Sequence, residues 1–455
     1  MTMMRLFTLF GFVLTFAFAN PAQARDKFLD IQDITTDKGI KIWLVEDDSI
    51  PVLSMDFAFK GAGAIRDPEG KQGTARLLSN MLDEGAGELE SEAFQKELRD
   101  LSISLGFSSN RDNFGGNLKT LSQNQDRAFE LLKLALNEPR FDEEPLERMV
   151  AANQSRIRSS LSDPDWIAAR ILNDKAFEGH PYAQNSGGTL SSLAAITAED
   201  LRNFKETHLT RDRLHIAVAG NIDAETLSAK VDEVFGDLPE SVPESEIAKL
   251  ELQNKARLFL YDKDIPQSII EIMQKGIGRD DPDYHTAQIM NFILGSSGFG
   301  SRLTEEIREK RGLTYGIYSY FNNMDYFNGL GVSTSTANKN VQEMLNLIEA
   351  EFNKLRSHPI SEDELANAKS YLIGSLPLSL TSTDKISGLL LSLQVDGLGT
   401  DYLDKRQEAI EKATLEDVFR VSQKLLSPEN FVTVLVGRPA NITPDETIED
   451  LPNVE

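Results

Sequence analysis

The spacing of apolar positions predicts where strands and helices lie along this chain. The run SMDFAF at residues 54–59 alternates with a period of two, which is typical of a strand with one buried face. Within residues 126–137 and 341–355, apolar side chains recur at i, i+3, i+4 and i+7, which predicts amphipathic helices. Consecutive strands followed by grouped helices favour an α+β fold whose largely antiparallel sheet carries helices on one face.

The same order of elements occurs twice. The segment TAEDL at 197–201 matches TLEDV at 414–418, and an apolar strand after each ends at Gly220 and Gly437, respectively. These threonine, aspartate and glycine landmarks share an offset of 217 residues (197 to 414, 220 to 437). A repeat of this length indicates gene duplication and predicts two homologous halves.

Each half is expected to open with a pair of neighbouring strands and a helix. The Thr-Ala step at 74–75 recurs at 286–287, an offset of 212 residues (74 to 286), within the two predicted helices. The predicted strand pairs are 40–45 with 52–59 in the first half, and 256–261 with 268–273 in the second.

A change in composition separates the two halves. Residues 238–246 read LPESVPESE, and proline, serine and glutamate of this kind are typical of a linker between domains. We therefore predict a first domain at 25–238, a linker at 239–255 and a second domain at 256–455. The length of 455 residues is comfortable for two domains of roughly 200 residues each.

The first 24 residues have the composition of a secretory signal peptide. Arg5 precedes an apolar run at 6–19, and the small-residue site AQA ends at Ala24, after which cleavage is expected. The alternative is a membrane anchor, but about 14 apolar residues are too few to span a bilayer comfortably. The sequence contains no cysteine, which excludes disulfides and thiolate metal sites and favours a bacterial periplasm. The predicted location is therefore periplasmic or secreted, with no integral membrane segment after signal removal.

The net charge further limits the partners. At −25, with 72 acidic and 47 basic residues, the chain is a poor match for nucleic acid or an anionic membrane, both of which attract cationic surfaces. A solvated acidic surface that maintains solubility is the ordinary explanation for such a charge.

Residues 73–82 carry the main clue to function. They read GTARLLSNML, and the pattern resembles the metal helix of the pitrilysin/insulinase-type (inverted zincin) metallopeptidases, whose signature is H-x-x-E-H. In that signature two histidines bind zinc and the glutamate activates water. Here the three positions hold Arg76, Ser79 and Asn80. The resemblance extends over residues 28–439 and includes FEGHPY at 177–182.

The resemblance also implies a third zinc ligand, a glutamate on a later helix after a Glu-Arg pair. Glu147-Arg148 supplies that pair, the register places Gln154 at the ligand position, and no glutamate occurs between Arg148 and Phe177. Since a catalytic zinc site needs three protein ligands, Arg76, Ser79, Asn80 and Gln154 are predicted to form a degenerate metal site. No metal or cofactor is expected in this chain.

The second half holds a different element of the same family. A glycine-rich segment, LGSSGFGSRL at 294–303, precedes TEEIREKRGLTYG at 304–316, and the spacing of Arg308 and Tyr315 resembles the family's arginine/tyrosine element. That resemblance implies two donors for a substrate carbonyl, facing the zinc from the opposite half. Gly298 and Gly300 are expected to let the backbone approach an extended peptide.

Ordinary explanations for the same residues remain open. Arg308 lies among glutamates and could form a solvated helix-surface ion pair of little energetic value. Tyr315, together with Tyr318 and Tyr320, could be part of the packing of a sheet.

Two functions are compatible with the sequence. The resemblance implies a non-catalytic, substrate-positioning subunit of a heterodimeric periplasmic zinc endopeptidase acting on peptides, whose H-x-x-E-H-containing homologous partner supplies the zinc. The alternative is a catalytically inert structural or peptide-binding protein of the same fold. The retained Arg308 and Tyr315 favour the first. Proteolysis by unrelated residues has no motif to support it, since the chain has no G-x-S-x-G and no cysteine.

Overall fold

The computed structural model describes residues 27–243, 245–297 and 300–455. The predicted signal peptide and Gly298 lie outside the described residues. None of the described helices combines the length and the apolar character needed to cross a membrane.

The first half contains eight strands and eight α-helices in its described part. Its strands are β1 (Gln32–Thr35), β2 (Lys41–Glu46), β3 (Val52–Phe59), β4 (Gly85–Ala86), β5 (Leu89–Glu90), β6 (Ser104–Ser109), β7 (Phe114–Leu121) and β8 (Leu214–Gly220). Its helices are α1 (Thr74–Met81), α2 (Ser91–Asp100), α3 (Gln125–Asn137), α4 (Glu143–Ser160), α5 (Pro164–Ala176), α6 (Leu190–Ala195), α7 (Ala198–His208) and α8 (Ala224–Phe235).

The second half repeats most of this order. Its strands are β9 (Arg257–Asp262), β10 (Gln267–Lys275), β11 (Ile317–Asn323), β12 (Asn328–Ala337), β13 (Val432–Gly437) and β14 (Glu446–Ile448). Its helices are α9 (Tyr284–Asn291), α10 (Val341–Ser357), α11 (Glu362–Ser379), α12 (Thr383–Val395), α13 (Tyr402–Lys412) and α14 (Leu415–Leu425). Two π-helical turns lie near the glycine-rich segment: Phe292–Ser296 overlaps its start, and Thr304–Glu309 follows its end.

The two main sheets share the arrangement of five of their six strands. The first runs β1-β2-β8-β3-β7-β6, and in the second β9, β13, β10, β12 and β11 take the places of β2, β8, β3, β7 and β6. Most strand pairings between described residues are antiparallel; β2 with β8, and β9 with both β13 and β14, are parallel. The prediction of two homologous α+β halves with largely antiparallel sheets is confirmed.

The prediction that each half opens with two neighbouring strands is wrong. In the first sheet β8 lies between β2 and β3, parallel to β2 and antiparallel to β3, and β13 separates β9 from β10 in the same way. The reason lies in the composition of the closing strands. All six residues of β13 are buried and β8 is nearly as apolar, so these strands are stable only at the centre of a sheet with both faces covered.

Each sheet carries most helices of its own half on one face. In the first half Leu77, Leu78 and Leu131 pack with sheet residues such as Phe57 in one cluster. In the second half Ile289, Met344 and Ile348 pack with Ile270 and other sheet residues. These layers follow the predicted amphipathic pattern.

A helix from the other half covers the second face of each sheet. Helix α5 of the first half lies against β10 and β13, where Ile167 and Ile171 join a cluster with Phe259 and Val434. Helix α12 of the second half lies against β3 and β8, and its Leu390 joins a separate cluster with strand residues of the first half. The two halves therefore exchange helices.

Polar contacts fix α12 at both ends. At its start, the hydroxyls of Thr383 and Ser54 are 2.8 Å apart, and Lys119 forms a 2.5 Å ion pair with Asp384. At its end, Lys60 Nζ donates to the carbonyl of Val395 at 2.6 Å. These bonds set the position of α12 along the strands it covers.

A carboxyl group lies beneath each exchanged helix, half-buried in Asp56 and buried in Glu271. Asp56 on β3 accepts a hydrogen bond from Ser387 of α12, and Glu271 occupies the corresponding place on β10, beneath α5. Burial raises the pKa of Glu271 from 4.5 to about 7, because hydrogen bonds from Ser333 and Tyr320 only partly replace lost hydration. Burial likewise raises the pKa of Asp56. Neither carboxyl is part of the site described below.

The predicted linker contacts both halves. Residues 239–243 and 245–255 contain no helix or strand, but Leu252 is buried. The N–H of Leu250 donates to the carbonyl of Tyr326, and that of Gln253 to the carbonyl of Ala176, each at 3.0 Å.

Shortening a buried side chain of an exchanged helix should destabilise the half whose sheet that helix covers. Ile171→Ala removes a fully buried side chain of α5, which should lower the free energy of unfolding by about 2–5 kcal/mol. Hydrogen exchange should quicken in β10 and β13 of the second half. Ala169→Ser, on the exposed side of α5, is the matched control. Protection lost only within the first half would contradict the helix exchange.

The buried Glu271 should make stability depend on pH. Its folded pKa of about 7 exceeds its ordinary value of 4.5, so the folded state binds the extra proton between these values. Stability should therefore fall as pH rises from about 4.5 to 7, by about 3 kcal/mol from this group. Glu271→Gln should flatten that part of the profile in urea unfolding. Glu343→Gln, at an exposed position, should leave it unchanged; equal slopes for the two variants would exclude Glu271 as the source.

Candidate functional site

Helix α1 presents the positions at which the sequence resembles a metal-binding motif. The carboxylate of Asp67 accepts the backbone N–H groups of Gly73 and Ala75 at 2.6 and 2.8 Å and so caps the start of the helix. Burial raises the pKa of Asp67 to about 7. Gly73 has φ 95°, and a Cβ there would lie 3.0 Å from the backbone of Gly187 and Gly188, so the helix starts in close contact with that loop.

The three motif positions on α1 have different surroundings. Ser79 is buried, and its Oγ donates to the carbonyl of Arg76 at 2.8 Å, within the helix itself. Asn80 lies one turn after Arg76, on the same side of α1, and its Oδ1 accepts a 2.9 Å hydrogen bond from Asn153 Nδ2 of α4. The motif helix and α4 therefore meet through two amides.

The predicted fourth position does not join this contact. Gln154 Nε2 donates instead to the carbonyl of Leu190, in α6, at 2.8 Å. Asn153, its neighbour, is 3% exposed and holds the place opposite Asn80. The structure thus brings Asn153, and not Gln154, against the motif helix.

A second arginine completes the group. Arg156 donates to Asn153 Oδ1 at 2.5 Å. Burial, and next the charge of Arg76, lower the pKa of Arg156. We name Arg76, Asn80, Asn153 and Arg156 the Arg76 cluster. Throughout the described chain, no carboxylate forms an ion pair with either arginine.

These side chains do not fit a zinc ion. Zinc binds thiolate, imidazole or carboxylate groups, whereas the Arg76 cluster offers amides and two guanidinium cations that repel a dication. Within residues 27–243, 245–297 and 300–455 there is no group of three or more histidine, aspartate and glutamate side chains arranged to hold a metal ion.

Arg308 lies in the second π-helical turn of the second half. The turn ends at Glu309. Gly312 then adopts φ 63°, and the N–H groups of Gly312 and Leu313 donate back to the carbonyls of Arg308 and Ile307. Arg308 Nε is 3.6 Å from Glu309 Oε1, and its side chain is one-third exposed. The helix-surface ion pair that the sequence offered as the alternative for Arg308 is therefore present, although its exposure to solvent makes it weak.

Tyr315 projects from the loop that follows. Its side chain is 86% exposed, which contradicts the alternative that it packs in the sheet; strand β11 begins only at Ile317. The loop itself is fixed, because Thr336 Oγ1 donates to the carbonyl of Leu313 at 2.6 Å and Thr334 Oγ1 to that of Gly316 at 2.9 Å. An exposed phenol therefore stands on an anchored backbone.

The glycine-rich segment is described in part. Gly300 has φ 97°, and apart from its chain neighbours no atom of the described residues lies within 4 Å of where its Cβ would be. Gly298 lies outside the described residues. The two π-helical turns near this segment are of a kind that occurs frequently at functional sites.

Sequence reasoning missed Asn153 and Arg156. Both lie on α4, three residues apart and thus on one side of the helix. A one-residue error of register along a helix rotates the predicted position by about 100°. The sequence did contain a signal: Arg156 lies close to Gln154, on the helix expected to carry the third zinc ligand.

Comparisons with known proteins agree on one family. Residues 59–189 match the family model described as "Insulinase (Peptidase family M16)", and residues 195–372 match the one described as "Peptidase M16 inactive domain". A "Non-peptidase homolog YmxG" from Helicobacter pylori is 26% identical over 378 residues, which cover 82% of this chain and 86% of that protein. The "Mitochondrial-processing peptidase subunit beta" of Lentinula edodes is 23% identical over 394 residues, 83% of each chain.

Solved structures give the same result for the fold. A crystal structure of a peptidase M16 inactive domain from Pseudomonas fluorescens has 28% identity and a TM-score of 0.85, and covers 91% of this chain and all of its own. A protease from Helicobacter pylori has 18% identity and a TM-score of 0.81, and covers 90% of this chain and 99% of its own.

The geometry of the Arg76 cluster predicts which substitutions would create a metal site. A variant carrying Arg76→His, Ser79→Glu, Asn80→His and Asn153→Glu should bind one zinc ion, because residue 153 lies within hydrogen-bond reach of residue 80. Zinc at 1,000 times its Kd should stabilise this variant by about 4 kcal/mol, measurable as a rise in Tm. Calorimetric titration gives the stoichiometry.

The matched control places the glutamate one residue later. With Gln154→Glu in place of Asn153→Glu, and the other three substitutions unchanged, zinc should bind at least about tenfold more weakly, because one ligand is lost. Equal affinity in the two variants would contradict the position that we assign to Asn153.

Proposed function

Since this chain belongs to the insulinase (M16) peptidase family but carries arginine, serine and asparagine where H-x-x-E-H would stand, we propose that it is a non-catalytic, substrate-positioning subunit of a two-chain zinc endopeptidase. A homologous partner that contains H-x-x-E-H supplies the zinc and the water. The substrate is a peptide held between the two chains, and hydrolysis requires both.

The exposure of Tyr315 is the observation that carries this proposal. A tyrosine that is 86% exposed on an anchored loop has no packing role, and its hydroxyl has no hydrogen-bond partner among the described residues. Such a group is available to a molecule outside this chain. Arg308, seven residues earlier, brings a cation to the end of the π-helical turn that precedes this loop.

The chemistry of these two groups suits amide hydrolysis. A carbonyl under attack by water gains negative charge on its oxygen, and a guanidinium and a phenol donate hydrogen bonds to an oxyanion. Zinc, when bound in the partner, polarises the carbonyl and lowers the pKa of its water. This chain contributes donors and orientation, so its role is to hold the substrate in a reactive position.

The relatives are compatible with a role in an assembly. One is named as a non-peptidase homolog and another as a subunit of a processing peptidase. The predicted signal peptide supports a periplasmic location for the complex.

The second candidate function is a catalytically inert structural or peptide-binding protein. The replacement of the whole metal motif by polar and cationic side chains is compatible with this alternative as well. The two candidates differ in whether Tyr315 and Arg308 affect a reaction.

The test mixes this protein with an H-x-x-E-H homologue from the same organism. Cleavage of an unstructured peptide should require both chains and zinc. Tyr315→Phe should lower kcat on the order of 10²-fold, and Arg308→Ala by a similar factor, because each removes one donor to the oxyanion. Complex formation, measured by analytical ultracentrifugation, should be unchanged.

Tyr318→Phe is the matched control, since Tyr318 is also an exposed tyrosine, 54% accessible, and stands three residues further along. It should retain normal turnover. Full activity of both Tyr315→Phe and Arg308→Ala in the mixed complex would reject the positioning role and favour the inert alternative.

A further inference from the structure

The Arg76 cluster contains two cations without a compensating acid. Elsewhere in this acidic chain basic side chains commonly pair with carboxylates; Arg148, also on α4, forms a 2.8 Å ion pair with Glu84. Arg76 and Arg156 have no such partner within the described residues, although acidic residues outnumber basic ones by 72 to 47. The two charges are close enough that Arg76 lowers the pKa of Arg156.

The local field adds to this positive charge. Arg76 lies in the first turn of α1, where the unpaired backbone N–H groups give the helix its positive end. Asp67 satisfies two of these N–H groups, but its carboxyl is buried and its pKa is raised to about 7. At this end of a helix a cation is disfavoured and an anion is favoured.

The cluster also offers a free amide donor. Asn153 Nδ2 is already used, since it donates to Asn80 Oδ1 and to the carbonyl of Met149. Asn80 Nδ2 has no acceptor among the described residues. Two guanidinium groups and one amide N–H₂ therefore have donors available to an anion, and planar guanidinium groups match the two oxygens of a carboxylate.

The position of the cluster favours a peptide as the source of that carboxylate. It occupies the first half's degenerate metal site, which in the proposed complex belongs to the chain that holds a peptide. The chain's own acidic surface would repel free anions at long range, so an anionic group tethered to a bound peptide gains more than a free ion does.

We propose that Arg76, Asn80 and Arg156 form a carboxylate-binding subsite that selects peptides with an acidic side chain or a free C-terminus. The former metal position has become an anchor for the substrate. This inference rests on the proposed function, in which the chain holds a peptide substrate. It adds which class of peptide the chain selects.

The test measures binding of fluorescent peptides to the full mature chain by anisotropy. Three versions of one unstructured 12-residue peptide are compared. The first has a single glutamate and an amidated C-terminus, the second has glutamine there and a free C-terminus, and the third has glutamine and an amidated C-terminus. At least one of the first two should bind about tenfold more tightly than the neutral third, and the preference should weaken in 0.3 M salt.

The combined variant Arg76→Gln and Arg156→Gln should abolish this preference while it leaves binding of the neutral peptide unchanged. Arg158→Gln, an exposed arginine on the same helix, is the matched control and should keep the preference. The Tm of the double variant should change little, because removal of the repulsion between the two cations offsets the loss of the hydrogen bond from Arg156 to Asn153.

Each outcome bears on the proposal. Preference for the glutamate peptide assigns the subsite to an acidic side chain, and preference for the free carboxylate assigns it to a C-terminus. Equal binding of all three peptides, or a preference that survives in the double variant, overturns the subsite but leaves the proposed subunit function standing. Binding of none of the peptides, together with absence of cleavage by the mixed complex, overturns both.

Discussion

The packing of α5 and α12 onto each other's sheets is the constraint on which the rest of the structure depends. The closing strands β8 and β13 are apolar on both faces, and each requires a second layer that its own half does not provide. The helix from the other half supplies that layer, with Ile171 on one side and Leu390 on the other. The halves are therefore held at a fixed mutual orientation, and so are α1 and the Tyr315 loop.

The sequence predicted what depends on local pattern. Period-two alternation located β3, helical spacing located α3 and α10, and the repeated TxxD segments gave the duplication. It did not predict that β8 enters between β2 and β3, because the order of strands depends on pairing between residues far apart in the chain. Nor did it predict the exchange of helices, because the apolar face of a helix does not indicate which sheet the helix will cover.

The same division applies to the candidate site. Arg76, Ser79 and Asn80 were assigned to one helix, and the structure has them on α1. The partner on α4 is Asn153 and not Gln154, because helix position alone does not determine the angular register against a neighbouring helix. The sequence alone did not place Arg156 in the site, because its position beside Arg76 depends on how α4 packs against α1. At and beside the positions that resemble H-x-x-E-H, the chain therefore carries guanidinium groups that provide positive charge.

The helix exchange carries a consequence for the ancestry of the chain. Corresponding helices cross between corresponding sheets, so the molecule has the arrangement of a swapped homodimer whose two copies were later joined in one polypeptide. In such a dimer neither copy is complete without the other. Separation of the two halves, whether by proteolysis or by expression as fragments, would leave each sheet with an uncovered apolar face and no independent domain.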